Sequence, residues 1–354
     1  MKVLFLIPYP VDEAPSQRFR FEQYFELLRS KGIEYHSVPY LNYSTWKILY
    51  HDGASVRKIL GYLKGYLKRI KWLFRLGPYQ WIFIHREITP LGPAWMVWWI
   101  AKIARKRIIY DFDDALWVKK RSSAHPGWSI LKSTSKIKSL CQYSYRVSCG
   151  NPYLADFASK FNQNITVNPT TIDSQHYHLP QPANNSIPVI GWTGSHSTLE
   201  YLEPILPVLR EMNGNFRFKL KIICNQPPDF DFDSMEYIPW NKENEIAELN
   251  TFDIGIMPLT DNAWTQGKCG FKILQYMALE KAAVASAVGV NKNIIEHGKD
   301  GLLCQSTADW ITSLTLLLED ENRRTYLGQN ARMKVITSYS VQSNQENFLS
   351  LFQD

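Results

Sequence analysis

Short apolar runs alternate with longer stretches of helical periodicity along most of the chain. Apolar runs bounded by polar residues are typical of buried strands, and recurrence every three to four residues is typical of helices. The runs that predict strands are residues 3–7, 34–38, 81–84, 107–110, 146–149, 188–191, 218–223, 235–238, 253–257, 282–286 and 302–304. The stretches that predict helices are residues 19–30, 57–75, 94–104, 199–211, 243–249, 271–279, 308–318 and 323–338. Because such alternation builds βαβ units, the pattern predicts an α/β fold with parallel, doubly wound sheets.

The alternation occurs twice, and a polar segment rich in Pro and Asn separates the two series. A chain of 354 residues also exceeds the size that one hydrophobic core normally fills. The predicted organisation is a first Rossmann-like domain, a linker, a second Rossmann-like domain and a tail that crosses back to the first domain. Their predicted bounds are residues 1–168, 169–186, 187–338 and 339–354. The two sheets are expected to face each other across a cleft at the carboxyl ends of their strands, where open α/β sheets bind ligands.

Composition indicates a packed globular protein, since 45% of the residues are hydrophobic and 14% are aromatic. The five cysteines are scattered, with neither a disulfide framework nor a zinc spacing, which predicts a cytoplasmic protein. No apolar run approaches the roughly 18 residues needed to span a bilayer. The N-terminal run ends at Pro8 and is predicted to be a strand, not a signal peptide.

The formal net charge of +7 predicts an anionic partner. Basic residues concentrate within residues 57–75, where they interleave with aromatic and aliphatic side chains. This composition predicts a peripheral contact with the anionic inner face of a membrane. The alternative is an ordinary helix that packs its apolar side on the sheet. No nucleic-acid-binding motif accompanies the segment, so nucleic acid is not a predicted partner.

A glycine loop that leads into a helix is the strongest candidate for a phosphate site. Glycine lets the backbone approach a ligand, and a helix N-terminus favours anions. Lysines add positive charge at the same end, and a glutamine one turn further can bond hydroxyl groups. The candidate donor contacts here are Lys268, Gly270, Phe271, Lys272 and Gln275. Gly194, Ser195 and His196 follow another predicted strand and form a second candidate loop; His196 is alternatively a surface turn residue.

Three carboxylates follow the predicted strand 107–110, namely Asp111, Asp113 and Asp114. Asp111 and Asp113 share a strand face, so a metal site of Asp-x-Asp type is one hypothesis. Helix capping by an aspartate pair is another. After the first strand, Arg18 and Arg20 are candidates for contact with the acceptor or with a phosphate, although Arg20 is equally explained as a surface charge.

Residues 253–286 resemble the donor-binding region of retaining GT-B glycosyltransferases, specifically glycosyltransferase family 4, the group 1 glycosyl transferases. The matching motifs are Asp253-Ile-Gly-Ile-Met-Pro-Leu259, Gly270-Phe-Lys-Ile-Leu-Gln-Tyr-Met-Ala278 and Ala283-Val-Ala-Ser286. The resemblance implies a GT-B fold and retaining transfer from a nucleotide-diphosphate sugar. It further implies a glycan or lipid-linked acceptor, cell-surface polysaccharide or glycoconjugate synthesis, and neither a metal nor another cofactor.

The resemblance also implies roles for residues in both domains. Trp240 occupies the place where family members contact the base. Asp113, with Asp114 beside it, takes the position beneath the reacting sugar, and His85 and Glu87 resemble an acceptor-side His-Arg-Glu element of a family 4 subgroup.

One departure from the family leaves an alternative open. The usual two glutamates fall at Gly267 and Gln275, so a non-catalytic nucleotide- or sugar-binding protein is the second hypothesis. A dinucleotide-dependent oxidoreductase is a third, but Pro8-Tyr-Pro10 stands where its Gly-x-Gly-x-x-Gly loop belongs.

Overall fold

Two compact units divide the chain. The computed structural model describes residues 1–49, 53–90, 92–118, 135–183 and 185–353. Unit 1 consists of Met1–Thr170 together with Gln345–Asp354, and unit 2 consists of Thr171–Asn344. Each unit has a parallel sheet, so the predicted strand–helix alternation corresponds to two α/β units.

In the described part of unit 1, six parallel strands form a sheet in the order β2-β1-β3-β4-β5-β6. The strands are β1 Lys2–Ile7, β2 Glu34–Pro39, β3 Trp81–His85, β4 Arg107–Phe112, β5 Arg146–Cys149 and β6 Ile165–Val167. The central strands β1 and β3 are apolar and buried almost throughout, which is expected for parallel strands covered by helices. Strand β6 was not predicted, because its three residues are partly exposed and form no apolar run.

In the described part of unit 2, six parallel strands form a sheet in the order β12-β11-β10-β7-β8-β9. The strands are β7 Val189–Gly194, β8 Lys219–Cys224, β9 Met235–Pro239, β10 Ile254–Met257, β11 Ala282–Ser286 and β12 Leu302–Cys304. Each lies where the sequence predicted a strand. Because β7 lies between β10 and β8, connections leave in opposite directions there, and ligands of open α/β sheets bind at such a switch point.

The helices of unit 1 that precede the crossover are α1 Pro15–Arg18, α2 Phe25–Ser30, α3 Tyr43–Ile48, α4 Ser55–Leu73, α5 Trp95–Trp98, α6 Ser135–Tyr143 and α7 Pro152–Ser159. Short 3₁₀ and π segments accompany them at Glu22–Tyr24 and Trp99–Ile103. Among the described residues, none of the helices in either unit is both long and apolar enough to cross a membrane.

The single helix predicted over residues 19–30 was wrong. Helix α1 ends at Arg18, and Phe21, with φ of −142° and ψ of −27°, leaves the helical conformation before the next 3₁₀ turn begins. Arg20 and Phe21 are both turned into the interior, where they are 1% and 0% exposed. Tertiary contacts of these two side chains therefore override the local helical periodicity.

The helices of unit 2 are α8 Leu206–Asn215, α9 Glu245–Asn250, α10 Phe271–Ala278, α11 Asn291–Ile294, α12 Thr307–Glu319 and α13 Glu321–Lys334. Short 3₁₀ and π segments lie at His196–Tyr201, Glu203–Ile205, Thr265–Gly267 and Val335–Tyr339. Tyr276 anchors α10 on the sheet. A Cβ added at Gly255 of β10 would lie 2.3 Å from the Tyr276 ring, and the Tyr276 hydroxyl accepts a hydrogen bond from the Thr193 N–H at 3.1 Å. These contacts fix α10 across β10 and β7.

The last helix, α14 Gln345–Ser350, belongs to unit 1. Phe348 stacks on Tyr24 with ring centroids 4.2 Å apart, and the ring centroids of Phe352 and Phe5 are 6.4 Å apart. Arg146 also donates a hydrogen bond to the Ser350 carbonyl. The chain therefore enters unit 2 after Thr170 and leaves it after Asn344.

Candidate active site

The start of α10 has the geometry expected of an anion site. Gly270 precedes the helix with φ of +68°, a left-handed conformation that favours glycine. A Cβ at this position would also lie 2.2 Å from Cδ1 of Ile294. Since glycine has no side chain with which to cap the helix, the N–H groups of the first turn and the macrodipole are directed at the preceding loop.

Two lysines flank this helix start, and both lie over indole rings. The Lys268 ammonium is 5.0 Å from the ring centroid of Trp264, and the Lys272 ammonium is 4.8 Å from that of Trp192. Burial, together with the nearby charge of Lys268, lowers the pKa of Lys272 to about 7. A neighbouring anion would favour the charged form of Lys272, so this side chain is suited to hold a phosphate group.

The second predicted loop joins the first through Trp192. Gly194 ends β7, and a Cβ there would lie 2.5 Å from the Trp192 ring. The Ser195 hydroxyl lies 3.0 Å from that of Ser197, and the His196 N–H donates a hydrogen bond to Oδ1 of Asn225 at 2.7 Å. Because Lys272 covers Trp192, the structure brings the Gly194 loop and the start of α10 together beside the carboxyl end of β7.

Trp240 and Gln275 meet at a residue that the sequence analysis did not single out. Glu245, in the first turn of α9, accepts a hydrogen bond from Trp240 Nε1 at 3.2 Å and from Gln275 Nε2 at 3.3 Å. Glu245 is buried, as is Gln275. Nothing in the local sequence distinguishes Glu245 from Glu243 or Glu248, because only the tertiary packing of Trp240 and Gln275 selects it.

In unit 1 the central carboxylate is Asp111, which the sequence analysis did not place among the catalytic candidates. Strand β4 extends through Phe112, so Asp111 lies inside the strand. It pairs with Arg20, lies 2.8 Å from Nδ1 of His85, and accepts a hydrogen bond from the Ser148 hydroxyl at 2.6 Å. Burial alone raises the pKa of Asp111, but Arg20 and the hydrogen bond from His85 hold it well below its usual range.

Arg20 is thus a buried ion-pair partner, which differs from its predicted contact with an acceptor or a phosphate and from the alternative of a surface charge. Besides Asp111 it bonds the carbonyl of Asn168, so its donors face the interior. Arg18 is also largely buried; its Nε lies 3.7 Å from Asp12 Oδ1, and its guanidinium lies over the Phe19 ring.

Arg86 brings Asp113 and Asp114 together. Arg86 adopts a positive φ of 57° directly after β3, and its Nε donates to Asp113 Oδ1 at 2.6 Å while Nη2 donates to Asp114. Burial opposes ionisation of Asp113, yet Arg86 holds the pKa of that carboxyl below its usual value. Both predicted catalytic carboxylates therefore share one guanidinium.

The acceptor-side candidates separate in the structure. His85 is fully buried against Asp111, whereas Glu87 is partly exposed and lies 3.5 Å from the ammonium of Lys136. Lys136 in turn donates to the Thr89 carbonyl at 2.6 Å. The Asp-x-Asp metal hypothesis does not fit this geometry, because Asp111 faces Arg20 and His85 while Asp113 faces Arg86. Within the described residues, no group of three or more His, Cys, Asp or Glu side chains is arranged to hold a metal ion.

Comparison with known proteins shows which family a part of this chain resembles. Residues 188–320 match the family model described as Glycosyl transferases group 1. Residues 188–320 therefore form a domain similar to the group 1 glycosyltransferases. This domain spans most of unit 2 and contains every predicted donor contact from Gly194 to Gln275. No curated protein sequence matches the chain.

Solved structures share the fold of the whole chain. Sucrose-phosphate synthase from Thermosynechococcus elongatus superposes with a TM-score of 0.73 at 12% identity, covering 100% of this chain and 98% of that chain. A glycosyltransferase from Rickettsia africae gives 0.66 at 12% identity, covering 99% and 97%. Anabaena HepE, in complex with UDP and glucose, gives 0.63 at 12% identity, covering 99% of each chain. The predictions of a GT-B fold and of a glycosyltransferase are confirmed.

Proposed function

We propose that this glycosyltransferase moves a sugar, with retention, from a nucleotide-diphosphate donor to a glycan or lipid-linked acceptor in cell-surface polysaccharide or glycoconjugate synthesis. The observation that carries the proposal is the start of α10, which follows the left-handed Gly270 and has Lys268 and Lys272 beside it. The complex of HepE with UDP and glucose supports a nucleotide sugar as the donor class.

Charge on the leaving diphosphate increases as the bond from the anomeric carbon to the phosphate oxygen breaks. The helix dipole of α10 and the ammonium of Lys272 are placed to stabilise that charge, so we propose no metal and no other cofactor. The acceptor oxygen forms the new bond to the anomeric carbon, and its proton passes to the phosphate oxygen of the leaving diphosphate. We assign stabilisation of positive charge on the sugar to Asp113 and Asp114, and contact with the acceptor hydroxyl to Glu87. We propose that His85, which is fully buried against Asp111, lies near the acceptor without touching it.

An assay of sugar transfer and of donor hydrolysis, run with UDP-, GDP- and ADP-sugars, tests the proposal. We expect turnover with one base, and a loss of turnover in Asp113→Asn with nucleotide binding retained. A second candidate is a nucleotide- or sugar-binding protein without activity, favoured by Gly267, which offers no carboxylate to the donor sugar. Tight nucleotide binding without transfer or hydrolysis would favour this candidate and contradict the enzyme.

We also propose that α4 rests on an anionic membrane surface. The buried face of this helix consists of Gly61, Gly65, Arg69 and Leu73, and the Arg69 guanidinium donates to three backbone carbonyls. The apolar side chains on the opposite side are exposed, which contradicts the alternative that the apolar side packs on the sheet. They recur at helical spacing along one face, namely Val56, Ile59, Leu60, Leu63 and Leu67.

Two further features favour a lipid partner for this face. Exposed basic residues run beside the apolar stripe at the same helical spacing, namely Arg57, Lys64, Lys71 and Arg75. Exposed aromatic rings extend the stripe beyond the helix. Phe74 is 77% exposed and lies 5.7 Å from the Trp99 ring, and Trp95 and Trp98 are each about two-fifths exposed. Apolar and aromatic side chains bordered by lysine and arginine are characteristic of helices that lie in an anionic interface.

A further inference from the structure

The loop that follows β1 holds a pair of aromatic rings with a carboxylate at its border. The ring centroids of Tyr9 and Trp46 are 4.6 Å apart, with the ring planes inclined by 45°. Trp46, on helix α3, donates a hydrogen bond from Nε1 to Glu13 Oε2 at 3.0 Å. All three residues are partly exposed. We call these three side chains the aromatic platform, because they place two rings and a carboxylate side by side in unit 1.

A buried glutamine fixes the position of Tyr9 within this loop. Gln17 Oε1 accepts a hydrogen bond from the Tyr9 N–H at 2.9 Å, and Gln17 Nε2 lies 3.2 Å from the Tyr9 carbonyl oxygen and 3.3 Å from that of Pro10. Gln17 itself is 0% exposed. A ring whose backbone is held in this way loses little conformational freedom when a ligand packs on it, so the aromatic platform is preorganised for binding.

The aromatic platform lies beside the carboxylates that we assign to the reacting sugar. Strands β1 and β3 are neighbours, with Leu6 opposite Ile84, so the loops that follow them leave the same edge of the sheet. Burial opposes the charge on Arg86, but Asp113 and Asp114 raise the pKa of its guanidinium well above the ordinary value. Tyr9 contributes to the same rise, which places its phenol close to Arg86.

The charges around the aromatic platform favour an uncharged ligand. The positive charge of Arg86 is met by two carboxylates, those of Asp113 and Asp114. Glu13 is bonded to the neutral indole of Trp46, so that contact leaves its negative charge uncompensated. A phosphate or a uronic acid on the platform would therefore face a carboxylate of like charge, which is unfavourable.

A neutral sugar ring has the surface that matches these groups. One face of a pyranose consists largely of C–H groups and can pack on aromatic rings, whose apolar bodies make them common in ligand sites. The hydroxyls at its edge can donate hydrogen bonds to a carboxylate, and bonds of this kind to an ionised acceptor are the stronger ones. Glu13 can accept such a bond in addition to that from Trp46, because a carboxylate has about four acceptor positions.

Resting on the proposed function, we propose that the aromatic platform binds the acceptor, and that the part of the acceptor bound there is an uncharged sugar residue and not the phosphate of a lipid carrier. The sugar packs on Tyr9 and Trp46 and donates a hydroxyl hydrogen bond to Glu13. The same sugar chemistry can be presented by a free glycan or by a glycan on a lipid carrier.

Binding of labelled full-length protein to an array of neutral and acidic glycans tests the inference. Vesicles that contain polyprenyl phosphate, with or without an attached neutral sugar, form a second set of probes. We expect at least about tenfold tighter binding to neutral glycans than to acidic glycans of the same length. Polyprenyl phosphate without a sugar should bind no better than other vesicles of equal charge. Preference for free or for carrier-linked sugar distinguishes the two sources of the acceptor.

Substitutions in the aromatic platform separate ligand contact from a structural role. Trp46→Leu should weaken binding of the best neutral glycan about tenfold, and Glu13→Gln should weaken it by a similar factor. Trp46→Phe keeps a ring and should retain part of the affinity, which a loss caused by unfolding does not predict. The matched control is Tyr43→Leu, an exposed aromatic residue on the same helix, and it should bind like the wild type. Thermal unfolding of each variant shows whether the fold is kept.

The outcomes separate this inference from the proposed function. Donor hydrolysis and nucleotide binding test the proposed function without an acceptor. If the wild type hydrolyses a nucleotide sugar but binds no neutral glycan, or prefers acidic glycans or polyprenyl phosphate, only the inference about the acceptor is overturned. Equal glycan affinity in folded Trp46→Leu and wild type overturns it as well. If neutral glycans bind through the platform but no nucleotide sugar is bound or hydrolysed, the proposed function fails and the platform remains a sugar-binding site.

Discussion

Arg20 and Asp111 form an ion pair in which each side chain is only 1% exposed. Removing one partner of such a pair leaves an uncompensated buried charge, so we expect Arg20→Met to destabilise unit 1 by about 3–5 kcal/mol. Arg20→Met/Asp111→Asn should recover part of that loss because it removes the orphaned charge. Urea unfolding monitored by circular dichroism measures both effects.

An exposed ion pair provides the control for this prediction, and the pH dependence of stability provides a second test. Arg29→Met, which breaks an exposed pair with Glu26, should change the unfolding midpoint little. Because Asp111 has a lowered pKa, its contribution to stability is fully present above the ordinary value of about 3.9 and is lost as the pH falls through the folded-state pKa. The difference in the free energy of unfolding between wild type and Arg20→Met should therefore shrink as the pH is lowered. A difference that grows at low pH would contradict the assignment.

The strands could be predicted from the sequence because their signal is local. Apolar runs such as 282–286 and 302–304 coincide with β11 and β12 at both ends. The prediction of one helix over residues 19–30 was wrong because Arg20 forms an ion pair with Asp111, which lies far along the chain. Periodicity within a window cannot contain that information.

In the candidate site, too, some residues could be recognised from the sequence and others only from their tertiary contacts. The glycine loop, the lysines and the start of α10 are contiguous in sequence, so their chemistry was visible there. Glu245 and Asp111 became recognisable only through their partners. Asp111 looks like the first of three loop carboxylates until β4 is seen to extend through Phe112, and the left-handed backbone of Arg86 that pairs Asp113 with Asp114 has no signature in the sequence.

Nucleotide affinity should depend on pH through Lys272, whose pKa burial and Lys268 lower to about 7. A bound diphosphate would raise that pKa, so binding near pH 8 should take up a proton and the affinity should fall as the pH rises through 7. Calorimetry in two buffers of different ionisation enthalpy measures the uptake. In Lys272→Arg the side chain stays charged, so any proton uptake that remains comes from titration of the nucleotide itself. The proton uptake that Lys272 contributes should be absent from this variant. Equal uptake in wild type and Lys272→Arg would contradict the role of Lys272.

The left-handed glycine before α10 should tolerate no side chain. Gly270→Ala combines a positive φ with a Cβ placed 2.2 Å from Ile294, so we expect a loss of about 1–3 kcal/mol and weaker nucleotide binding. The control is Gly214→Ala in α8, where an added Cβ meets nothing within 4 Å and should be neutral or slightly stabilising. Thermal unfolding and nucleotide titration of both variants check this. Unchanged nucleotide affinity in Gly270→Ala would argue against a phosphate site at this helix start.

From the exposed apolar face of α4 we predict that the protein binds lipid vesicles. Vesicles that contain anionic lipid should carry the wild-type protein upwards in a flotation gradient, and vesicles of neutral lipid should carry much less. Leu63→Asp/Leu67→Asp should reduce the bound fraction at least tenfold, since burying each leucine is worth about 1.5–3 kcal/mol. Met333→Asp places the same charge on an exposed apolar residue of unit 2 and should float like the wild type.

Variants of the exposed basic residues beside the apolar stripe separate the electrostatic contribution to lipid binding from the apolar contribution. Lys64→Gln/Lys71→Gln should weaken flotation with anionic vesicles and make the remaining binding less sensitive to salt, because attraction between surface charges is screened within a Debye length of about 8 Å at physiological ionic strength. The aspartate variant of the apolar stripe should lose binding at low salt as well. If neutral and anionic vesicles carried wild type equally, the lysines would have no role in docking. If the aspartate and Met333→Asp variants floated alike, α4 would not be the docking surface.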